Sequence, residues 1–328
     1  MSRVKIVALI AATLAAASGT VFAVYRHQIG QVRRQAEAGS RIAQTKLGPI
    51  EYAIRGSGLP LLIIHGAGGG YDQGLFIAGN LPASFQIIAP SRFGYLRTPV
   101  PSDVSPAAQA DAHAALLDSL GIERAVVMGV SAGAPSAVEM ALRHPKRVRA
   151  LILMVPRGYA PGRKVEVPAN WSNAQVMKLL LSGADLAYWA ALRLIRRKLV
   201  RFMGVLPDVE AGAPAAERER ISFILKSILP LSQRIAGIRA EAEAVLTPLP
   251  LEQINLPTLI ISAKDDLFGT LPAAEYMAEG IRGAELVIFA SGGHLLVGRQ
   301  RAVNEKIADF LSGIQENAAQ ARPAHAGF

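Results

Sequence analysis

Six short apolar runs, set far apart along the chain, constrain its fold more than any other feature. They are Pro60–His65, Gln86–Ala89, Ala125–Val130, Leu151–Val155, Thr258–Ile261 and Glu285–Phe289, and most are rich in Val, Ile and Leu. They read as continuous apolar segments rather than as alternating ones. A strand of that kind is covered on both faces, as in a parallel sheet between two layers of helices. The segments Ala107–Leu120, Ala132–Arg143, Pro272–Ile281 and Arg301–Leu311 carry apolar residues at helical spacing. The pattern predicts an α/β fold built on a doubly wound, mostly parallel sheet.

Between Arg157 and Leu256 the alternation stops, and about a hundred residues read as helices with Pro and Gly punctuation. Strands then resume at Pro257, the mark of a helical insertion between two strands. The expected division is an N-terminal segment 1–28, a basic stalk 29–48 that reads as a stalk or a short helix, a first core part 49–156, the helical cap 157–256, a second core part 257–313 and a tail 314–328.

Ile6 to Tyr25 are twenty uncharged residues, preceded by Arg3 and Lys5 and followed by Arg26, Arg33 and Arg34. At about 1.5 Å per residue they reach roughly 30 Å, the thickness of a bilayer's hydrocarbon core. The run is longer than an ordinary signal-peptide core, which favours a retained single-pass anchor. Ala15–Ala17 and Val21–Ala23 still offer sites for cleavage, so export as a cleaved form is the alternative. Basic residues flank both ends and leave the sidedness open.

The 328 residues carry 35 Lys and Arg against 25 Asp and Glu, a net charge of +10. A basic balance suits nucleic acid, a membrane surface or an anionic substrate. Aromatic residues at 6% and the lack of any nucleic-acid-binding pattern set the first aside. Nine of the cations fall between Arg157 and Leu206 against Glu166 and Asp185. That stretch is either a solvated helix face or, with Trp189 and Phe202 among leucines, a membrane-interface surface. The chain has no cysteine, which excludes disulfides, thiolate zinc sites and a cysteine nucleophile. Six histidines without an HExxH pair give no sign of a metal centre.

The sharpest local signal is Gly129-Val130-Ser131-Ala132-Gly133, directly after an apolar strand and before a helix. A serine on such a turn exposes its hydroxyl, and the helix start supplies backbone N–H groups for an oxyanion. Serine is a weak nucleophile, so a base and an orienting acid are required. His294, on the glycine loop Ser291–Leu295 after the last strand, is the candidate base. The candidate acid lies in Ala263-Lys264-Asp265-Asp266, at the end of another strand. All three are expected on the C-terminal rim of the sheet, where functional groups of such folds collect. His65-Gly66-Ala67-Gly68-Gly69-Gly70 follows a strand and can present N–H groups to the same oxyanion. Its G-x-G start fails as a dinucleotide fingerprint because Tyr71 stands where the third glycine belongs. His65 is expected to hold this loop, His113 and His144 to be structural, and Asp72 and Gln73 to stand near the pocket.

With these parts aligned, Pro49 to Leu311 resembles the α/β-hydrolase superfamily. His65 to Gly69 is similar to its HGxGG loop and Gly129 to Gly133 to its nucleophile elbow. Ser91-Arg92-Phe93-Gly94-Tyr95-Leu96-Arg97-Thr98 is similar to its D-R-x-G-x-G-x-S loop, departing at the first Asp, the second Gly and the final Ser, and Gly293-His294 resembles its G-H motif. The resemblance implies catalytic Ser131, Asp266 and His294, with Asp265 a rival for the acid, and Ala67 and Ala132 as the oxyanion hole. It implies no cofactor and no metal. A serine nucleophile sets aside the branches that use a carboxylate. The expected activity is hydrolysis of an ester or related acyl bond in a lipid-like or anionic small molecule. Acyl transfer or cofactor-free perhydrolysis would use the same residues, and a non-catalytic binding module is the reading from another class.

Overall fold

The computed structural model describes residues 2–81, 84–162 and 171–320. In chain order it runs α1 (Arg3–Ala38), β1 (Arg41–Thr45), β2 (Gly48–Arg55), β3 (Leu59–Ile64), α2 (Tyr71–Ile77), β4 (Phe85–Pro90), α3 (Pro106–Ser119), β5 (Ala125–Val130), α4 (Ala134–Arg143) and β6 (Val148–Met154). Then come six helices, α5 (Trp171–Ser182), α6 (Asp185–Leu194), α7 (Arg196–Phe202), α8 (Pro207–Ala211), α9 (Ala215–Lys226) and α10 (Ile235–Glu243). The core resumes with β7 (Thr258–Ala263), α11 (Leu271–Gly280), β8 (Glu285–Phe289) and α12 (Gln300–Gln320).

The strands form one sheet in the order β1-β2-β4-β3-β5-β6-β7-β8. The β1–β2 and β2–β4 pairs are antiparallel, and every pair from β4 onward through β3 to β8 is parallel. The fold is therefore the α/β-hydrolase architecture, a mostly parallel mixed sheet with a helical insertion after β6. Continuous apolar strands become a two-faced core through the period of two. Leu62, Ile64, Val127, Leu151 and Ile260 pack with α3, α4 and α11 on one face. Leu61, Ile63, Val126, Met128, Ile152 and Ile261 pack with α12 on the other. Each such side chain contributes roughly 1.5–3 kcal/mol by leaving water.

Two sequence expectations differ from the structure. Residues 29–48 are helical only as far as Ala38, where α1 ends, and then form the edge strand β1 and the start of β2 instead of a stalk. Arg41-Ile-Ala-Gln-Thr is short, polar and mostly exposed, so it lacks the apolar signature of the central strands. The β2 strand was equally hard to read because Glu51, at its centre, is charged yet fully buried. That carboxylate accepts bonds from Ser40, Ser91 and Arg97. At the other end α12 runs to Gln320, beyond the boundary expected at 313.

The first 36-residue helix has two halves. Val4, Ile6, Val7, Ile10, Leu14, Val21, Phe22 and Val24 lie exposed, whereas Tyr25, Ile29 and Ala36 are buried. Tyr25 and Ile29 join the apolar core of the cap, with Tyr188, Trp189 and Leu225 among others. Among the described residues α1 is the one helix long and apolar enough to cross a membrane. Of the clustered cations, Arg163 and Lys164, with Glu166, lie outside the described residues.

Candidate active site

The nucleophile candidate sits where β5 ends. Ser131 has φ of 51°, the left-handed region that costs a side-chain-bearing residue about 1–3 kcal/mol and recurs at functional turns. The flanking glycines make the turn sterically possible. A Cβ on Gly129 would stand 2.6 Å from the Ala137 Cβ, and one on Gly133 would stand 2.4 Å from the Ile64 carbonyl oxygen. The chain thus passes too close to α4 and to β3 for any larger residue.

His294 Nε2 lies 2.8 Å from Ser131 Oγ, and its Nδ1 lies 2.8 Å from Asp266 Oδ2. A carboxylate can only accept, so Nδ1 carries the proton and Nε2 is left to accept from the serine hydroxyl. Asp266 also accepts from the Thr270 hydroxyl at 2.5 Å and the Phe268 N–H at 2.8 Å. Burial pushes its pKa up, but the charge and hydrogen bond of His294, with the Thr270 and Phe268 bonds, hold it below the ordinary value of 3.8. Asp265 faces elsewhere. Its carboxylate accepts the backbone N–H groups of Gly292 and Gly293 at 3.1 and 2.8 Å, which braces the loop carrying His294.

Ala67 and Ala132 both border the cavity above Ser131. In the glycine loop, Gly66 N–H is taken by the Gln73 side chain, Gly68 N–H by the Tyr95 hydroxyl and Gly69 N–H by the Gly66 carbonyl. Ala67 N–H, between them, has no internal partner among the hydrogen bonds of the described residues. His65 underpins the loop: its Nε2 accepts the Arg92 N–H, so its Nδ1 donates to the Gly66 carbonyl. Burial, then the Arg92 charge, push its pKa well below 6.5 and keep it neutral.

Several supporting residues were invisible to sequence reasoning. Arg234, from the cap, is fully buried and binds Asp72 Oδ2 at 2.6 Å together with the Gly69 carbonyl. It clamps the glycine loop although 165 residues separate it from Gly69. Gly204, also in the cap, offers its carbonyl to the N–H groups of both His294 and Leu267 at 3.0 and 3.2 Å. It therefore ties the acid loop to the histidine loop. Nothing local distinguishes either residue in the sequence. Thr270 did carry a signal, four residues after Asp266 at the start of a helix.

Ser131 and His294 open onto a cavity of about 820 Å³. Its walls are mainly hydrocarbon, among them Phe76 and Leu81 of the core, Leu180, Phe202 and Ile224 of the cap, and Ile307 of α12. Asp72 and Gln73 line it as well. Its guanidinium groups are committed to protein acceptors: Arg55 to the Ala78 carbonyl, Arg157 to those of Glu241 and Ala244, and Arg220 to Glu217 and the Leu295 carbonyl.

A family model described as the alpha/beta hydrolase fold matches residues 60–298. The 2-hydroxymuconate semialdehyde hydrolase of Pseudomonas sp. strain CF600 is 30% identical over 248 residues, 73% of this chain and 81% of that protein. The solved alpha/beta hydrolase fold protein from Nakamurella multipartita is 28% identical with a TM-score of 0.65, covering 83% of this chain and 98% of that one. A bacterial membrane phospholipase A shares the fold at 23% identity and a TM-score of 0.66, over 95% of this chain and 99% of that one.

Proposed function

The chain belongs to the α/β-hydrolase fold family, and from that premise we propose that it is a membrane-anchored serine hydrolase that cleaves the ester bond of a neutral, hydrocarbon-rich acyl compound. The observation that carries this reading is the unbroken Asp266–His294–Ser131 hydrogen-bond chain at the mouth of an apolar cavity. Ser131 Oγ attacks the acyl carbonyl while His294 Nε2 takes its proton. Asp266 holds the imidazole in the required tautomer and stabilises its charged form. The carbonyl oxygen becomes an oxyanion and accepts from the Ala67 and Ala132 N–H groups. His294 returns the proton to the departing alkoxide, leaving an ester on Ser131. Water, deprotonated by His294, then attacks that ester and releases the acid and the serine. Hydrocarbon walls, and cations already engaged by the protein, support a neutral acyl chain over an anion. The uncharged run Ile6–Tyr25 within α1 supports a retained anchor.

A second reading rests on the relatives named as 2-hydroxymuconate semialdehyde hydrolases, at 30% identity. On it the same serine site would cleave a carbon–carbon bond of a dienoate. One experiment separates the two. The full chain in detergent micelles, beside Ser131→Ala, is treated with a fluorophosphonate probe, then assayed on p-nitrophenyl esters of rising chain length and on 2-hydroxymuconate semialdehyde. Labelling and ester turnover that both vanish in the variant are expected. Turnover of the semialdehyde with inert esters would move the assignment to carbon–carbon cleavage. A folded wild-type chain that neither labels nor turns over would sink both.

A further inference from the structure

The way α1 lies on the cap sets the cap's height above a membrane. Arg33 Nη2 binds Asp185 Oδ2 at 2.7 Å, near the start of α6. Further back along α1, Gln28 Oε1 accepts from Trp189 Nε1 at 2.8 Å and from Arg193 Nη2 at 2.9 Å. Tyr25 meets the Trp189 ring edge-on, with centroids 5.7 Å apart. As numbering falls on α1 it rises on α6, so the two helices run antiparallel. The C-terminal end of α6 therefore points back toward the exposed apolar half of α1, which ends where Tyr25 becomes buried.

Ile6–Val24 span about 28 Å at 1.5 Å per residue, enough for the hydrocarbon core of a bilayer. The lipid boundary then falls at Val24–Arg26. Tyr25 and Trp189 stand at that level, as aromatic residues with one apolar and one polar end do at membrane interfaces. Leu194, one residue beyond Arg193, is 81% exposed, an outlier for a leucine on a packed helix. The α7 helix that follows carries Arg196, Arg197, Lys198 and Arg201 without an acid. Arg196 is bonded to Glu210, whereas Arg197, Lys198 and Arg201 lie exposed. The inner side of the same turn lines the cavity through Phe202 and Met203.

We propose that the elbow between α6 and α7 docks on the bilayer that α1 crosses, with Leu194 in the apolar boundary and Arg197 and Lys198 on anionic lipid headgroups. The proposal rests on α1 spanning the membrane. It goes further in assigning a second, electrostatic contact that presses the cap against the lipid beside the cavity. Each Lys or Arg near an anionic surface contributes roughly fivefold to such an equilibrium. A substrate dissolved in the bilayer then reaches the cavity without crossing bulk water.

The absence of cysteine permits clean single-site labelling. Leu194→Cys and, as a control, Asn255→Cys, exposed just before the N-terminal end of β7 and so on the rim of the sheet away from Ser131, are labelled with an environment-sensitive nitrobenzoxadiazole dye. The full chain is placed in nanodiscs of phosphatidylcholine, with or without phosphatidylglycerol. The label replacing Leu194 is expected to shift to the blue and to be quenched by brominated lipid, more so with phosphatidylglycerol, while the Asn255 label stays in water. Arg197→Glu with Lys198→Glu is expected to lower the phosphatidylglycerol-dependent part about 25-fold or more. The same double variant slows turnover of a bilayer-dissolved ester and leaves a water-soluble ester unaffected. Extraction in alkaline carbonate tests α1 separately. A chain that is washed out refutes the anchor, and docking with it. A retained chain whose Leu194 label stays in water refutes docking alone. Shielding that follows protein concentration instead of lipid would assign the elbow to a second copy of the chain and overturn the proposal.

Discussion

Asp265 and Asp266 are adjacent carboxylates that the structure gives different tasks, and replacing each in turn separates them. Asp266 is 6% exposed and its Oδ2 faces the protonated Nδ1 of His294. Asp266→Asn puts an amide there whose N–H₂ favours an unprotonated Nδ1. The proton then moves to Nε2, which can no longer accept from Ser131. Loss of the tautomer and of the charge that stabilises the imidazolium costs about 10⁴-fold in kcat, roughly 5.5 kcal/mol of barrier. Asp265 instead accepts two loop N–H groups at 3.1 and 2.8 Å. Bonds to a carboxylate contribute about 1.5–3 kcal/mol each, and an amide keeps one of them as a neutral bond of about 1 kcal/mol. Asp265 is half-buried, so water recovers part of the loss. Asp265→Asn is expected to cost about 2 kcal/mol of stability and no more than about tenfold in kcat. The assay is kcat on a soluble ester for the full chain in detergent, with thermal unfolding measured on the same samples. An Asp265→Asn loss above 10³-fold, with Asp266→Asn within tenfold of wild type, would refute the assignment.

Two further outcomes follow from the supporting contacts. Arg234→Met leaves Asp72 and the Gly69 carbonyl without their partner. Breaking a buried pair costs about 3–5 kcal/mol, and since Asp72 is 26% exposed a loss nearer 2–3 kcal/mol is expected. Because Gly69 is two residues from the Ala67 N–H, kcat should fall at least tenfold with KM little changed, and Arg234→Lys should restore part of it. A lowered melting temperature with unchanged kcat would make the clamp purely structural. Thr270→Val removes a donor that helps hold the Asp266 pKa below 3.8. A depressed carboxylate pKa adds stability above the unfolded value, and that stability is lost as pH falls through the lower folded value. The deficit of the valine variant should therefore be largest near neutrality and shrink below about pH 3.8, as read from denaturant unfolding across that range; a pH-independent deficit would contradict it.

Much of the core was legible because its signals are local. Leu61–Ile64 and Val126–Met128 are apolar on both faces, and only a sheet covered twice satisfies such strands. Gly129 is forced by contacts with α4 inside its own strand–turn–helix unit and Gly133 by the passing end of β3, yet the elbow itself could be read from five consecutive residues. The edge strands carried no such signal. Arg41–Thr45 pairs on one side only, and the pairing of β2 depends on Glu51, whose burial makes sense only beside Ser40, Ser91 and Arg97. The site divides in the same way. Ser131, His294 and the Asp265–Asp266 pair could be named in advance because each ends a strand. The family resemblance pointed to Asp266 and kept Asp265 as a rival; backbone direction at the end of β7 turns Asp266 toward the histidine and Asp265 toward the Gly292 and Gly293 N–H groups. Arg234 and Gly204 act on loops far away in the chain, and an arginine or glycine within a helical insertion has no local mark of such a task. The N-terminal helix shows both sides of the division at once. Its twenty uncharged residues were enough to raise the expectation of a membrane span, whereas its seating on α6 came from contacts across about 160 residues of chain that only packing brings together.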